Sequence, residues 1–75
     1  MLLYDYSKLL GRIVEKFGGQ RAFAKAIEMS ERSLSLKLNN KVPFKQREIE
    51  SCISALELAK EDIPAYFFTQ VVQSA

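Results

Sequence analysis

The sequence predicts a single all-α domain built from five short helices. Apolar residues recur at intervals of three and four along most of the chain, which is the spacing of one helix face. Gly-Gly, Asn-Asn and Val-Pro pairs interrupt these periodic stretches at short intervals. The chain has 75 residues, which corresponds to one domain, and 48% of them are hydrophobic. Such a chain can build one compact core.

The first helix is predicted at about residues 6–17. Asp5 or Ser7 can cap its first turn by accepting a hydrogen bond from an exposed N–H group. The pair Gly18-Gly19 ends it, because glycine adopts the left-handed conformation of a helix C-terminus. The predicted apolar stripe consists of Leu9, Leu10, Ile13, Val14 and Phe17.

The second and third helices are predicted at residues 20–27 and about 31–38, with Ser30 as the N-cap of the third. A small residue, Ala24, is placed where the two helices cross, and Met29 fills the hinge between them. The residues predicted to face the core are Phe23, Ala24 and Ile27 on the second helix and Leu34 and Leu38 on the third.

The fourth and fifth helices are predicted at about residues 46–58 and 61–67. A turn at residues 39–41 and an extended segment before Pro43 precede the fourth, and Pro64 fits the first turn of the fifth. Residues 68–75 are either a strand around Val71 and Val72 or a loose tail. The predicted domain therefore spans residues 1–68, with a C-terminal tail at 69–75. The core-facing residues of the fourth helix are Ile49, Cys52, Ile53 and Leu56.

The composition argues against an enzyme. The chain has no histidine and one cysteine, Cys52, so the commonest general base and a zinc ligand set are both missing. The three glycines form no phosphate-binding loop, and no cofactor is expected. Cys52 is predicted to be a buried small hydrophobe. No signal peptide or membrane-spanning stretch is visible, which predicts a cytoplasmic protein.

Charge is distributed unevenly along the chain. Residues 1–47 hold ten Lys and Arg against four acids, a net charge of +6. Residues 48–75 hold one Lys against five acids, a net charge of −4. This division indicates one face directed toward a polyanion and another toward a different partner.

The third helix combines a narrow apolar seam with a long polar face. Hydrogen-bonding side chains on such a face can contact base edges and phosphates, whereas an ordinary surface helix has the same pattern. The pattern by itself leaves both interpretations open. The residues assigned to this face are Glu31, Arg32, Ser33, Ser35, Lys37 and the apolar Leu36.

A family resemblance decides between them. The helix-turn-helix of the lambda-repressor-like (Cro/CI, XRE) family resembles "QRAFAKAIEMSERSLSLKLN" at residues 20–39. Small phage Cro-like regulators resemble "SERSLSLKLNNKVPF" at residues 30–44 and "EDIPAYFFTQVVQ" at residues 61–73. The family usually has glycine where this chain has Glu28, and a non-glycine residue in a left-handed turn costs roughly 1 kcal/mol.

In that family the second helix of the motif enters the DNA major groove. The resemblance implies that Arg32 pairs with a guanine, that Glu31 accepts from cytosine or holds Arg32, and that Gln20 meets a phosphate. Asn40 is expected to grip the flanking backbone together with its neighbours. The full set of predicted DNA- or partner-binding residues is Gln20, Ser30, Glu31, Arg32, Ser35, Leu36, Asn39, Lys41 and Lys45.

Two functions follow from the resemblance. The first is a transcriptional regulator of a phage lysogeny/lysis switch that binds operator DNA, as a dimer on two half-sites. The second is an antirepressor that binds the phage repressor protein and modulates its DNA binding, which the modest net charge and Glu31 favour slightly. The predicted dimer surface consists of Ile63, Tyr66, Phe67, Phe68, Val71 and Val72; some of these must pack in the core, because two adjacent phenylalanines cannot easily both point inward.

Overall fold

The computed structural model describes residues 3–71 and confirms the predicted all-α, five-helix fold. The longest helix has 11 residues, and no helix in the described part of the chain is long and apolar enough to cross a bilayer. A short 3₁₀ turn at Lys60–Asp62 leads directly into the last helix. The helices are α1 (Ser7–Phe17), α2 (Gln20–Ala26), α3 (Glu31–Leu38), α4 (Gln46–Ala55) and α5 (Ile63–Phe67).

Helix α1 begins one residue later than predicted, because Tyr6 occupies the N-cap position. The Asp5 carboxylate accepts hydrogen bonds from the Ser7 hydroxyl and the Ser7 backbone N–H, so of the two predicted capping residues it is Asp5 that binds an N–H group of the first turn. The same two bonds, the hydroxyl first, lower the pKa of Asp5 below its ordinary value. Gly18 ends the helix in the left-handed region with φ of 83°.

The core is a single cluster at the centre of the five helices. The predicted inward residues of α2 and α3 reach it, but Val14 of α1 does not, and its exposed fraction is 59%. Val14 lies at the edge of the α1 stripe, beyond the reach of the neighbouring helices. The fully or nearly fully buried apolar residues are Tyr6, Leu9, Ile13, Phe23, Ala24, Leu34, Leu38, Cys52, Leu56 and Phe67.

Three helices end in the same left-handed turn without using glycine. Glu28, Asn40 and Glu57 have φ of 56°, 61° and 55° after α2, α3 and α4. In the last of these turns the Leu58 N–H donates back to the Ile53 carbonyl at 2.9 Å, which satisfies a free carbonyl of the final turn. This reversal ends α4 at Ala55, so the predicted boundary at residue 58 was wrong.

The two ends of the described chain pair with each other. The Asp5 N–H donates to the Thr69 carbonyl at 2.7 Å, and the Val71 N–H donates to the Leu3 carbonyl at 3.0 Å. Within residues 3–71 this pairing amounts to one isolated antiparallel bridge, between Tyr4 and Gln70. The tail predicted at 69–75 thus begins with a residue bonded to the N-terminal segment, while Val72 and the rest of the tail lie outside the described residues.

Candidate interaction surface

Helix α3 presents two sides of different character. The side toward the core is buried, and the opposite side carries residues spaced at i, i+4 and i+7, which align along one helix face. We call Arg32, Leu36 and Asn39 the outward row; all three are exposed. The buried residues of α3 are Leu34, Lys37 and Leu38.

The N-terminus of α3 is built as the sequence predicted. The Ser30 hydroxyl accepts a hydrogen bond from the Ser33 N–H at 3.0 Å, which confirms Ser30 as the N-cap. Before it, Glu28 takes the left-handed conformation, and the Met29 N–H donates to the Ala24 carbonyl at 2.9 Å. This turn sets the direction in which α3 continues after α2. Glu31 is exposed in the first turn of α3.

Lys37 does not belong to the polar face of α3, so that prediction was wrong. Its exposed fraction is 6%, and its ammonium lies 3.4 Å from a carboxylate oxygen of Glu48 on α4. The same Glu48 oxygen accepts a hydrogen bond from the Lys45 backbone N–H at 2.8 Å and so caps α4. Lys37 therefore joins α3 to α4, and its charge is directed away from any surface partner.

Asn40 is also committed to an internal contact. Its side-chain amide donates to the Tyr4 carbonyl and accepts from the Tyr4 N–H, each at 2.9 Å. Both ends of its amide thus bind the N-terminal segment, so the side chain that was expected to grip a DNA backbone is held by the chain itself; DNA contact by Asn40 stays a prediction. We call this pair of bonds the Asn40–Tyr4 clamp. It attaches the C-terminal end of α3 to the bridged chain ends.

The other predicted site residues are exposed or half-buried, and two of them contact each other. Gln20 is the first residue of α2 and is half-buried, whereas Lys45 is exposed at the N-cap of α4. Ser35 is half-buried. The Asn39 side-chain amide nitrogen donates to the Ser35 carbonyl at 2.8 Å and to the Ser35 hydroxyl at 3.3 Å. The contact brings these two predicted residues together. The exposed members of the set are Ser30, Glu31, Arg32, Leu36, Asn39, Lys41 and Lys45.

Internal contacts divide the basic residues into two groups. On α1, the Arg12 guanidinium donates twice to the Leu56 carbonyl, at 3.0 and 3.2 Å, and Lys16 pairs with Glu57. The Lys16 bond lowers the pKa of the Glu57 carboxyl. By contrast, within residues 3–71 no ion pair involves the exposed cations around α3, which include Arg32, Lys41 and Lys45. Arg21 and Lys25 of α2 and Arg47 of α4 are also exposed and outside every ion pair of residues 3–71. The basic groups available to a partner therefore lie on α2 and at the start of α4 as well as around α3.

These features define a small all-α protein with one exposed helix face as its candidate interaction surface. The chain belongs to the family described as "Protein of unknown function (DUF739)", which matches residues 2–70. It is similar to the solution structure of the modulator of repression (MOR) of the temperate bacteriophage TP901-1 from Lactococcus lactis. The two are 57% identical with a TM-score of 0.79, over 87% of this chain and 88% of that chain. No match is found among curated proteins.

This relationship supports a regulatory role in a phage, as the sequence predicted. It agrees with the all-α fold, because the similarity covers most of both chains. The finer assignment to the lambda-repressor-like helix-turn-helix family stays a prediction, since the matching family description states no function and no lineage.

Proposed function

We propose that the chain is a phage modulator of repression that binds the repressor protein of the same phage through the outward row of α3. It acts as a binding protein without catalytic chemistry, in the cytoplasm of the bacterial host, where the repressor works. One observation carries the proposal: an aliphatic side chain, Leu36, stands exposed in the middle of the row, between Arg32 and Asn39.

The chemistry of the row fits a protein partner. Protein interfaces place apolar side chains at their centre, surrounded by polar groups that exclude water, and arginine is enriched among the residues that dominate binding. Leu36 has an exposed fraction of 36% and can be buried by a partner. Glu31, exposed in the first turn, would repel DNA phosphates but can pair with a cation of a protein. The 57% identity to a modulator of repression supports the same role.

Binding of operator DNA through a helix-turn-helix made of α2 and α3 is the second candidate. It is favoured by the position of Arg32 in the first turn of α3, exposed and outside every ion pair of residues 3–71. An arginine there can reach guanine O6 and N7, and the exposed Lys41 and Lys45 can contact phosphates. In this mode a homodimer would bind two related half-sites.

Gel-shift and direct binding assays separate the two candidates. The purified chain is mixed with the phage promoter DNA, with the purified repressor, and with both, at several stated salt concentrations. The proposal predicts that the chain binds repressor and changes the repressor–DNA band, while the chain alone shifts no DNA. A shift by the chain alone, with steep salt dependence, would support the DNA candidate. Absence of any repressor binding would reject the first candidate.

Substitutions then assign the binding surface. Leu36→Ala is expected to weaken repressor binding roughly tenfold, the effect of losing about 1.4 kcal/mol at an interface centre. The matched control is Val14→Ala, which removes an exposed aliphatic side chain from α1 and is expected to bind normally. Arg32→Ala tests the DNA candidate: loss of operator discrimination, with Lys41→Ala weakening all DNA equally, would favour it.

A further inference from the structure

An apolar cleft lies beside the C-terminal end of α3. It has a volume of about 340 Å³ and is bounded by the N-terminal segment, the loop between α3 and α4, and the end of α5. Its lining residues include Tyr4, Phe44 and Phe67, and also Val42 and Phe68, whose side chains are exposed, with exposed fractions of 37% and 49%. Two large apolar side chains are thus only partly covered at one place on the surface.

The cleft is held open by contacts within the chain. The Asn40–Tyr4 clamp fixes the main chain of the N-terminal segment against the loop after α3. The rings of Tyr4 and Phe68 meet edge to face with centroids 5.7 Å apart, and those of Phe44 and Phe67 do so at 5.3 Å. A partner would therefore enter a preformed site with little loss of side-chain freedom, which favours binding.

The charge around the cleft restricts its partner. Among the described residues that line it, Lys41 is the one charged residue, and Lys41 is exposed. No ion pair of residues 3–71 includes Lys41. The cleft therefore complements an apolar side chain that lies next to a carboxylate. A DNA backbone offers phosphates for Lys41 but would leave Val42 and Phe68 without an apolar contact.

The cleft is continuous with the outward row. The Lys41 N–H donates to the Leu36 carbonyl at 2.8 Å, so the lysine at the cleft follows directly on the helical turn that carries Leu36. We infer that the cleft is a second contact point for the repressor protein, which inserts an apolar side chain between Val42 and Phe68 and sets a neighbouring carboxylate against Lys41. This inference rests on the proposed function and extends its surface from one helix to the adjoining loop and chain ends.

Repressor binding by single variants tests the cleft. Val42→Ser and Lys41→Glu change exposed side chains, so the fold should survive, and urea unfolding of each variant checks this. Each is expected to weaken the complex with purified repressor about tenfold. The matched controls are Val14→Ser on α1 and Lys60→Glu before α5, both exposed and both expected to bind repressor as the unchanged chain does.

The possible failures are distinct. If Leu36→Ala weakens repressor binding but Val42→Ser and Lys41→Glu do not, the cleft inference is wrong and the proposed function stands. If only Lys41→Glu weakens repressor binding, the cleft inference is also wrong, because the repressor would then contact the charge of Lys41 without an apolar contact in the cleft. If the unchanged chain binds no repressor, both proposals fall. Sedimentation of the chain alone tests whether the cleft binds a second copy of this chain. A dimer that Val42→Ser dissociates would show that it does, and would reject the inference.

Discussion

Arg32 and Lys37 carry the same charge on the same helix, yet the fold gives them opposite roles. Arg32 is exposed on the outward row, and no ion pair within residues 3–71 includes it. Lys37 is buried and lies 3.4 Å from Glu48. Five residues separate them, which is a rotation of about 140° around a helix axis. Helical phase thus decides whether a basic side chain stabilises the protein or remains available to a partner.

The largest expected effect is on the buried side of α3. Leu34 has no exposed surface, so Leu34→Ala should lower the free energy of unfolding by about 2–5 kcal/mol through lost burial and a residual cavity. Leu36 has an exposed fraction of 36%, so Leu36→Ala on the outward row should cost less, about 1 kcal/mol. Urea denaturation of both variants measures the difference. Similar losses for the two would contradict the division of α3 into a stabilising and a binding side.

The comparison of the two cations can be tested directly. Lys37→Ala removes a buried aliphatic stem and the partner of Glu48, and should lower the free energy of unfolding by about 2 kcal/mol. Lys37→Met keeps most of the stem and should lose less, since an apolar residue can replace a buried ion pair. Arg32→Ala should leave stability within about 0.5 kcal/mol. Thermal and urea unfolding would show equal effects of Lys37→Ala and Arg32→Ala if burial were irrelevant.

The left-handed turns at the two ends of α3 should respond oppositely to glycine. Glu28→Gly removes strain from a residue with φ of 56° and should raise stability by about 0.5–1 kcal/mol. Asn40→Gly keeps the turn but removes both bonds of the Asn40–Tyr4 clamp, and should lower stability by about 1 kcal/mol. Chemical denaturation measures both values. Stabilisation by Asn40→Gly would mean that the clamp contributes nothing.

The smallest effect on stability at neutral pH is expected from the ionisation of the Cys52 thiol. Cys52 lies in the same core as the buried side of α3. Burial, and secondarily the charge of Glu48, raises the pKa of this thiol to about 12 from 9.0. The folded protein therefore keeps the proton where the unfolded chain loses it, so stability should fall only as pH rises above about 9. At pH 8, alkylation by iodoacetamide should be roughly 100-fold or more slower than in urea. Equal rates would show that the thiol is exposed.

Several particular features could be predicted because their causes are local. The spacing of Leu34 and Leu38 predicted their burial, and the hydroxyl of Ser30 predicted an N-cap. The left-handed turn at Glu28 had a different source: the family resemblance implied it, and the structure has it. Of the adjacent phenylalanines, the structure buries Phe67 and exposes Phe68, as the argument that both cannot easily point inward predicted.

The sequence by itself determined five helices, their main inward residues and an exposed Arg32, because helix periodicity and capping depend on residues a few positions apart. Only the tertiary structure decided that Lys37 meets Glu48, that Asn40 holds Tyr4, and that Val14 remains uncovered. These outcomes depend on which helices and segments become neighbours. The pattern along one helix does not contain that information, since a polar side chain at the edge of a helix face becomes internal only when another element supplies its partner.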